Sequence, residues 1–143
     1  MPPLSRWYIR TSLLYLLGSL LVGLAVAFQS TLSLSSIVAA LAPVYFHLFL
    51  VGWILQLIFG VIFWLFPKPR NDEVNWDRLG WIAWGLLNSG LLLRAIAEPR
   101  SVFAPGSVWG WALVLSAVMQ WFAGIGLIIM VWPRTYSRQR KPR

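Results

Sequence analysis

From Val44 to Leu65 the chain runs for about 22 residues without a charged side chain. A stretch of that length crosses a hydrocarbon core as a helix. In lipid, every backbone N–H and C=O must be satisfied inside the segment, so a helix is the form such a stretch can take there. Three further apolar runs follow the same logic. The sequence therefore predicts an all-α polytopic membrane protein with four transmembrane helices, at about 11–28, 44–66, 79–97 and 108–132. They form one domain across 1–143, ending in a basic cytoplasmic tail, 133–143. With 59% hydrophobic residues, the chain lies outside the soluble range.

Local signals set the expected ends. Arg6 and Arg10 precede the first run. A basic start, an apolar core and Ala25-Val26-Ala27 also describe a cleaved signal peptide. Gly18, Ser19 and Gly23 instead suit a packed helix, and a retained first helix is the expectation. Ser35 or Ser36 caps a short interfacial helix through Leu41, and Pro43 opens the second span, where its missing N–H is harmless. Pro67 and Pro69 end that span at Phe66. Asp77 is the expected N-cap of the third helix, Glu98-Pro99 its stop, and Pro133 the stop of the fourth.

The net charge of +8 is concentrated at one side. Arg6, Arg10, Lys68, Arg70, Arg78 and the tail with Arg134, Arg138, Arg140, Lys141 and Arg143 fall together, against Arg100 and Arg94 on the other side. By the positive-inside rule, both termini are cytoplasmic, and the tail meets anionic headgroups rather than nucleic acid. Most of the ten tryptophans then read as interface anchors, with Trp109 and Trp111 in one belt and Trp64, Trp81, Trp84 and Trp132 in the other. An integral protein of a bacterial inner membrane is expected, facing lipid and other membrane subunits or a homodimer partner.

Two sets of polar residues stand out. Ser19, Gln56, Asn88 and Gln120 lie near the midpoints of their helices and predict a structural polar layer joined by hydrogen bonds. A proton or quinone path is the competing reading. His47, the single histidine, sits nine residues before Gln56, about 180° around an ideal helix. Arg94 likewise lies nine residues after Gly85. Both are therefore expected to face away from the small-residue sides of their helices, at matching depth. An intramembrane histidine is a functional candidate by default. An imidazole and a guanidinium at one depth suit haem, with His47 on the iron and Arg94 on a propionate. The plainer readings are an interface histidine bonded to a backbone carbonyl, and a snorkelling Arg94 paired with Glu98.

The stretch His47-Leu-Phe-Leu-Val-Gly52-Trp53, with Gly60 and the exit Phe66-Pro67-Lys68-Pro69-Arg70, resembles one helix of haem–copper oxidase subunit I. The likeness is to the cbb3-type and nitric-oxide-reductase branches, where an H-x-H pair precedes Gly-Trp by four residues. It implies that His47 matches the low-spin haem ligand, while Tyr45 stands where the active-site haem ligand belongs. With one histidine and no cysteine, the remaining oxidase ligands are missing, and no enzyme activity is expected. The resemblance implies a non-catalytic accessory subunit of a respiratory or photosynthetic electron-transfer membrane complex, with b-type haem on His47. Its competitors are a stand-alone haem- or quinone-binding membrane protein and an oxidase assembly factor.

Overall fold

The computed structural model describes residues 1–29, 31, 35–66, 75–104, 106 and 108–134, all in helices, turns or short connections. Four stretches are long and apolar enough to cross a membrane: Pro3–Phe28, Ser36–Leu65, Trp76–Phe103 and Val108–Arg134. The loop charges Lys68, Arg70, Asp72 and Glu73, the exit Pro67 and Pro69, and the tail beyond Arg134 lie outside the described residues.

Helix α1 (Pro3–Phe28) begins well before the expected Thr11, with Pro3 in its first turn. The two arginines do not end it. A long Arg side chain can reach water from a helix that continues past it. Its buried residues Leu4, Ser5, Tyr8, Ser12 and Ser19 recur at three, four and seven, so one stripe of the helix meets the rest of the fold.

The second span is composite. A short α2 (Ser36–Ala39) is capped by Ser35, whose Oγ accepts the Ile37 N–H at 3.4 Å. Helix α3 (Ala42–His47) follows with Pro43 in its first turn, as the sequence predicted. The backbone then widens into a π-helix over Leu48–Leu55 before α4 (Gln56–Leu65). The expected uniform helix at 44–66 is thus a three-part rod.

Helix α5 (Trp76–Phe103) departs from expectation at both ends. Its N-cap is Asn75, whose Oδ1 accepts the Arg78 N–H at 3.0 Å, not Asp77. Asp77 lies in the first turn, where a negative charge suits the positive end of the helix dipole. Pro99 does not stop the helix, which continues to Phe103. A proline in a helix removes one N–H donor, and membrane helices tolerate that where neighbouring groups compensate. Helix α6 (Val108–Val131) ends in a 3₁₀ turn, Trp132–Arg134, close to the expected end at 132. Gly106, between α5 and α6, has φ +75°, a conformation that a side chain disfavours.

The spans pair as two antiparallel hairpins. Helix α1 runs against the composite span, and α5 runs against α6. A shared core of Leu4, Tyr8, Phe63, Ala83, Leu127 and Met130 fastens the hairpins at one end. There the Tyr8 hydroxyl donates to Gly80 O at 3.4 Å, and the Arg134 guanidinium lies 4.9 Å from the Phe63 ring centre. Trp7, Trp81 and Trp84 stand edge to face at 5.7–6.4 Å, bridging α1 and α5, with Trp7 and Trp81 still partly exposed. Trp64, Trp111 and Trp132 are exposed, as interface anchors are.

Candidate functional site

His47 closes α3 at the end of the bundle remote from the shared core. Its Nδ1 lies 2.9 Å from Pro43 O, one helical turn back, so Nδ1–H donates to that carbonyl. With the proton there, the neutral ring carries its lone pair on Nε2. Glu98 Oε2 of α5 lies 3.8 Å from Nδ1, too far for a hydrogen bond but close enough for electrostatic attraction. Arg94 Nη2 reaches the other oxygen, Glu98 Oε1, at 3.5 Å. The structure thus brings His47 and Arg94 to one place through Glu98. Sequence reasoning assigned that residue to the helix stop and to an i,i+4 pair with Arg94, and that pair is also present.

The expected orientation of His47 needs correction. Gln56 also addresses α5, where its amide meets Asn88, so the two residues are not on opposite faces of the span. Counting nine residues at the α-helical pitch gives half a turn. The i→i+5 ladder of Leu48–Leu55 winds less per residue, and that difference swings His47 towards α5.

The cluster is incompletely satisfied. Among the described residues, Glu98 Oε2 and Arg94 Nε are both buried without a hydrogen-bond partner. The His47 side chain is 31% exposed and that of Glu98 13%, so the ring is at the rim and the carboxylate behind it. Among the described residues, no three of His, Cys, Asp or Glu gather closely enough to hold a bare metal ion. What the arrangement offers is one imidazole nitrogen, backed by a carboxylate and flanked by a guanidinium with spare donors.

The polar layer forms in part. Gln56 and Asn88 exchange reciprocal amide bonds at 3.3 and 3.4 Å. The Thr11 hydroxyl stands 2.8 Å from Gln56 Oε1, and Trp84 Nε1 donates to it at 3.3 Å. Asn88 also donates to Trp84 O at 2.7 Å. Gln120 belongs to a second, separate group: its Nε2 donates to Ser116 Oγ at 3.1 Å, and Ser116 donates to Gly90 O at 2.8 Å. Ser19 is buried but bonds within its own helix, to Leu16 O at 2.8 Å, and joins neither group. Thr11 and Trp84 were missed. Thr11 was read as the first residue of its helix, and Trp84 as an interface anchor.

The paired amides give a direct test. Asn88→Leu leaves the Gln56 Nε2 without its acceptor in an apolar interior and is expected to cost about 1–2 kcal/mol. Adding Gln56→Leu should recover part of that loss, because the orphaned Gln56 amide is then gone too. Unfolding in mixed detergent–SDS micelles, followed by circular dichroism, measures both. Strictly additive losses would sink the pairing.

Comparison of the chain with known protein families, curated proteins and solved structures finds no match.

Proposed function

We propose that the protein is a non-catalytic accessory subunit of an electron-transfer complex in a bacterial inner membrane, and that His47 ligates a b-type haem there. The carbonyl contact of His47 at 2.9 Å also fits the plainer reading, and the observation that carries this one is the gathering of His47 and Arg94 around Glu98. A ring nitrogen tied to a backbone carbonyl fixes the tautomer and directs the other nitrogen outward as a ligand. Glu98 lies on the Nδ1 side of the ring, 3.8 Å away, so Nε2 is the nitrogen left for a ligand contact. Arg94 makes one long contact to Glu98 through Nη2, and its terminal N–H groups are the donors a propionate would meet. The residues present therefore fit the group in their donor chemistry. A b-type haem would supply one-electron transfer.

The chain contributes one histidine, so a second histidine for the haem would have to come from a second copy or from a partner subunit. Partial exposure of the ring at the rim of the bundle suits that arrangement. Both termini are placed in the cytoplasm, on the strength of Arg6, Arg10, Arg78 and the tail.

The test is an absorption spectrum of the detergent-purified protein, oxidised and then dithionite-reduced, with a pyridine haemochrome assay. The expected result is a stoichiometric b-type spectrum that His47→Ala abolishes and Arg94→Ala reduces. A colourless native protein, or a spectrum indifferent to His47→Ala, overturns the haem reading.

A further inference from the structure

Helices α1 and α5 touch closely at the tryptophan cluster and then separate, leaving a lateral groove of about 340 Å³. One wall comes from Trp7, Thr11 and Tyr15 of α1, and the other from Trp84, Asn88 and Leu92 of α5. Both sets follow helical spacing, so each is a continuous stripe. The groove lies at mid-depth: Tyr15 is central in Pro3–Phe28, and Asn88 is central in Trp76–Phe103.

The chemistry of the groove is uneven. Its closed end is aromatic, with the Trp7 and Trp84 rings edge to face at 5.7 Å. Its polar members are mostly spent: Thr11 and Asn88 are bound into the network with Gln56 and Trp84. Tyr15 is the exception. Among the described residues its hydroxyl has no hydrogen-bond partner, although it stands at the centre of a span. The ring is seated by Gly52: a Cβ at that position would come within 2.8 Å of Tyr15 Cγ, so the glycine makes the room. A hydroxyl without a partner at this depth is unfavourable, and no water is at hand to satisfy it.

The geometry points to a binding site in this groove for a lipid-soluble molecule of the quinone class, held by its flat ring and by one ring carbonyl accepting from Tyr15. The occupant must be apolar to reach mid-membrane, which excludes charged headgroups. It must carry an acceptor, which an acyl chain lacks. A flat ring suits the aromatic end, where edge and face contacts with Trp7 and Trp84 are available. The volume is in the range of small-molecule sites. The inference concerns binding and does not depend on haem at His47, which is not among the residues lining this groove.

The experiment is a calorimetric titration of the detergent-purified full chain with a benzoquinone bearing a ten-carbon tail. The same tail without the quinone ring serves as the comparison ligand. Tyr15→Phe removes only the hydroxyl and keeps the packing on Gly52. It is expected to raise the half-saturation concentration roughly five- to tenfold, as for one lost hydrogen bond. Leu92→Trp fills the groove from an exposed position, so the core is spared, and should abolish saturable binding. His47→Ala should bind as the native chain does, whatever its spectrum shows. Three results would overturn the proposal: no saturable binding by the native chain, an unchanged half-saturation in Tyr15→Phe, or equal affinity for the headless tail.

Discussion

A Gly60→Ala variant will unfold about 1–3 kcal/mol more readily than the native chain, the range for overpacking a close contact. A Cβ at position 60 would stand 2.7 Å from Ile9 Cγ1, 3.2 Å from Tyr8 Cβ and 3.3 Å from the Ile9 backbone nitrogen. The branched Ile9 and the backbone of α1 cannot retreat locally, so α1 and α4 must part. Parting them also lengthens the Ser5 hydroxyl bond to Gly60 O, which ties the two helices at the same level. Gly18→Ala is the control. A Cβ there meets nothing within 4 Å. The exchange adds only helix propensity and should be neutral or stabilising by up to about 1 kcal/mol. SDS-driven unfolding in mixed micelles reads both, and equal effects at the two positions would remove the argument. Gly80 is a gentler case, since its neighbour is the mobile end of the Leu4 side chain.

Inserting one alanine after Leu50 will separate His47 from Glu98. Leu50 is exposed and lies inside the Leu48–Leu55 π-helix, so the insertion point is outside the core. The ladder is already widened, so a further residue turns one half of the span against the other by about 100° and lengthens it by about 1.5 Å at the α-helical pitch. The Gln56 half is held by Thr11 and Asn88, so the His47 half must turn. Tyr45 then leaves Gly23, where a Cβ would now come within 2.8 Å of its ring. The chain has no cysteine, which makes the measurement clean. A His47→Cys/Glu98→Cys pair should be bridged efficiently by a short thiol-reactive cross-linker in the native-length background and poorly after the insertion. Any spectrum dependent on His47 should fall with it. Undiminished cross-linking would show that the widened ladder does not set the direction of His47.

Much of the fold was legible because lipid leaves a chain few options. Uncharged length identified the four spans, and Ser35 and Pro43 marked the start of the second. Gln56 and Asn88 were found because buried amides at equal depth must find each other. The misses have physical causes. Arg6, Arg10 and Pro99 read as boundaries, yet a snorkelling arginine and a single lost N–H are both compatible with a continuing helix. Ser19 was placed in a shared layer by depth alone, but a serine hydroxyl can be satisfied by the carbonyl three residues back in its own helix. The meeting of His47 with Glu98 was hidden for a subtler reason. Angular bookkeeping from residue spacing assumes one pitch throughout, and the π-helix breaks that assumption between the two residues being compared.

The division into two hairpins bears on how the chain is made. Each hairpin buries its own helix–helix seam: Gly52 and Gly60 admit α1 in the first, and Ser116 bonds to Gly90 in the second. The N-terminal pair can therefore leave the translocation machinery as a finished unit before the third span has been synthesised. What remains for later is lateral docking in the bilayer, through Gln56 and Asn88 and the core around Phe63 and Met130. The polar amides on the docking face would be exposed to lipid in that interval, which favours rapid closure of the two halves upon each other over a long-lived half-assembled state.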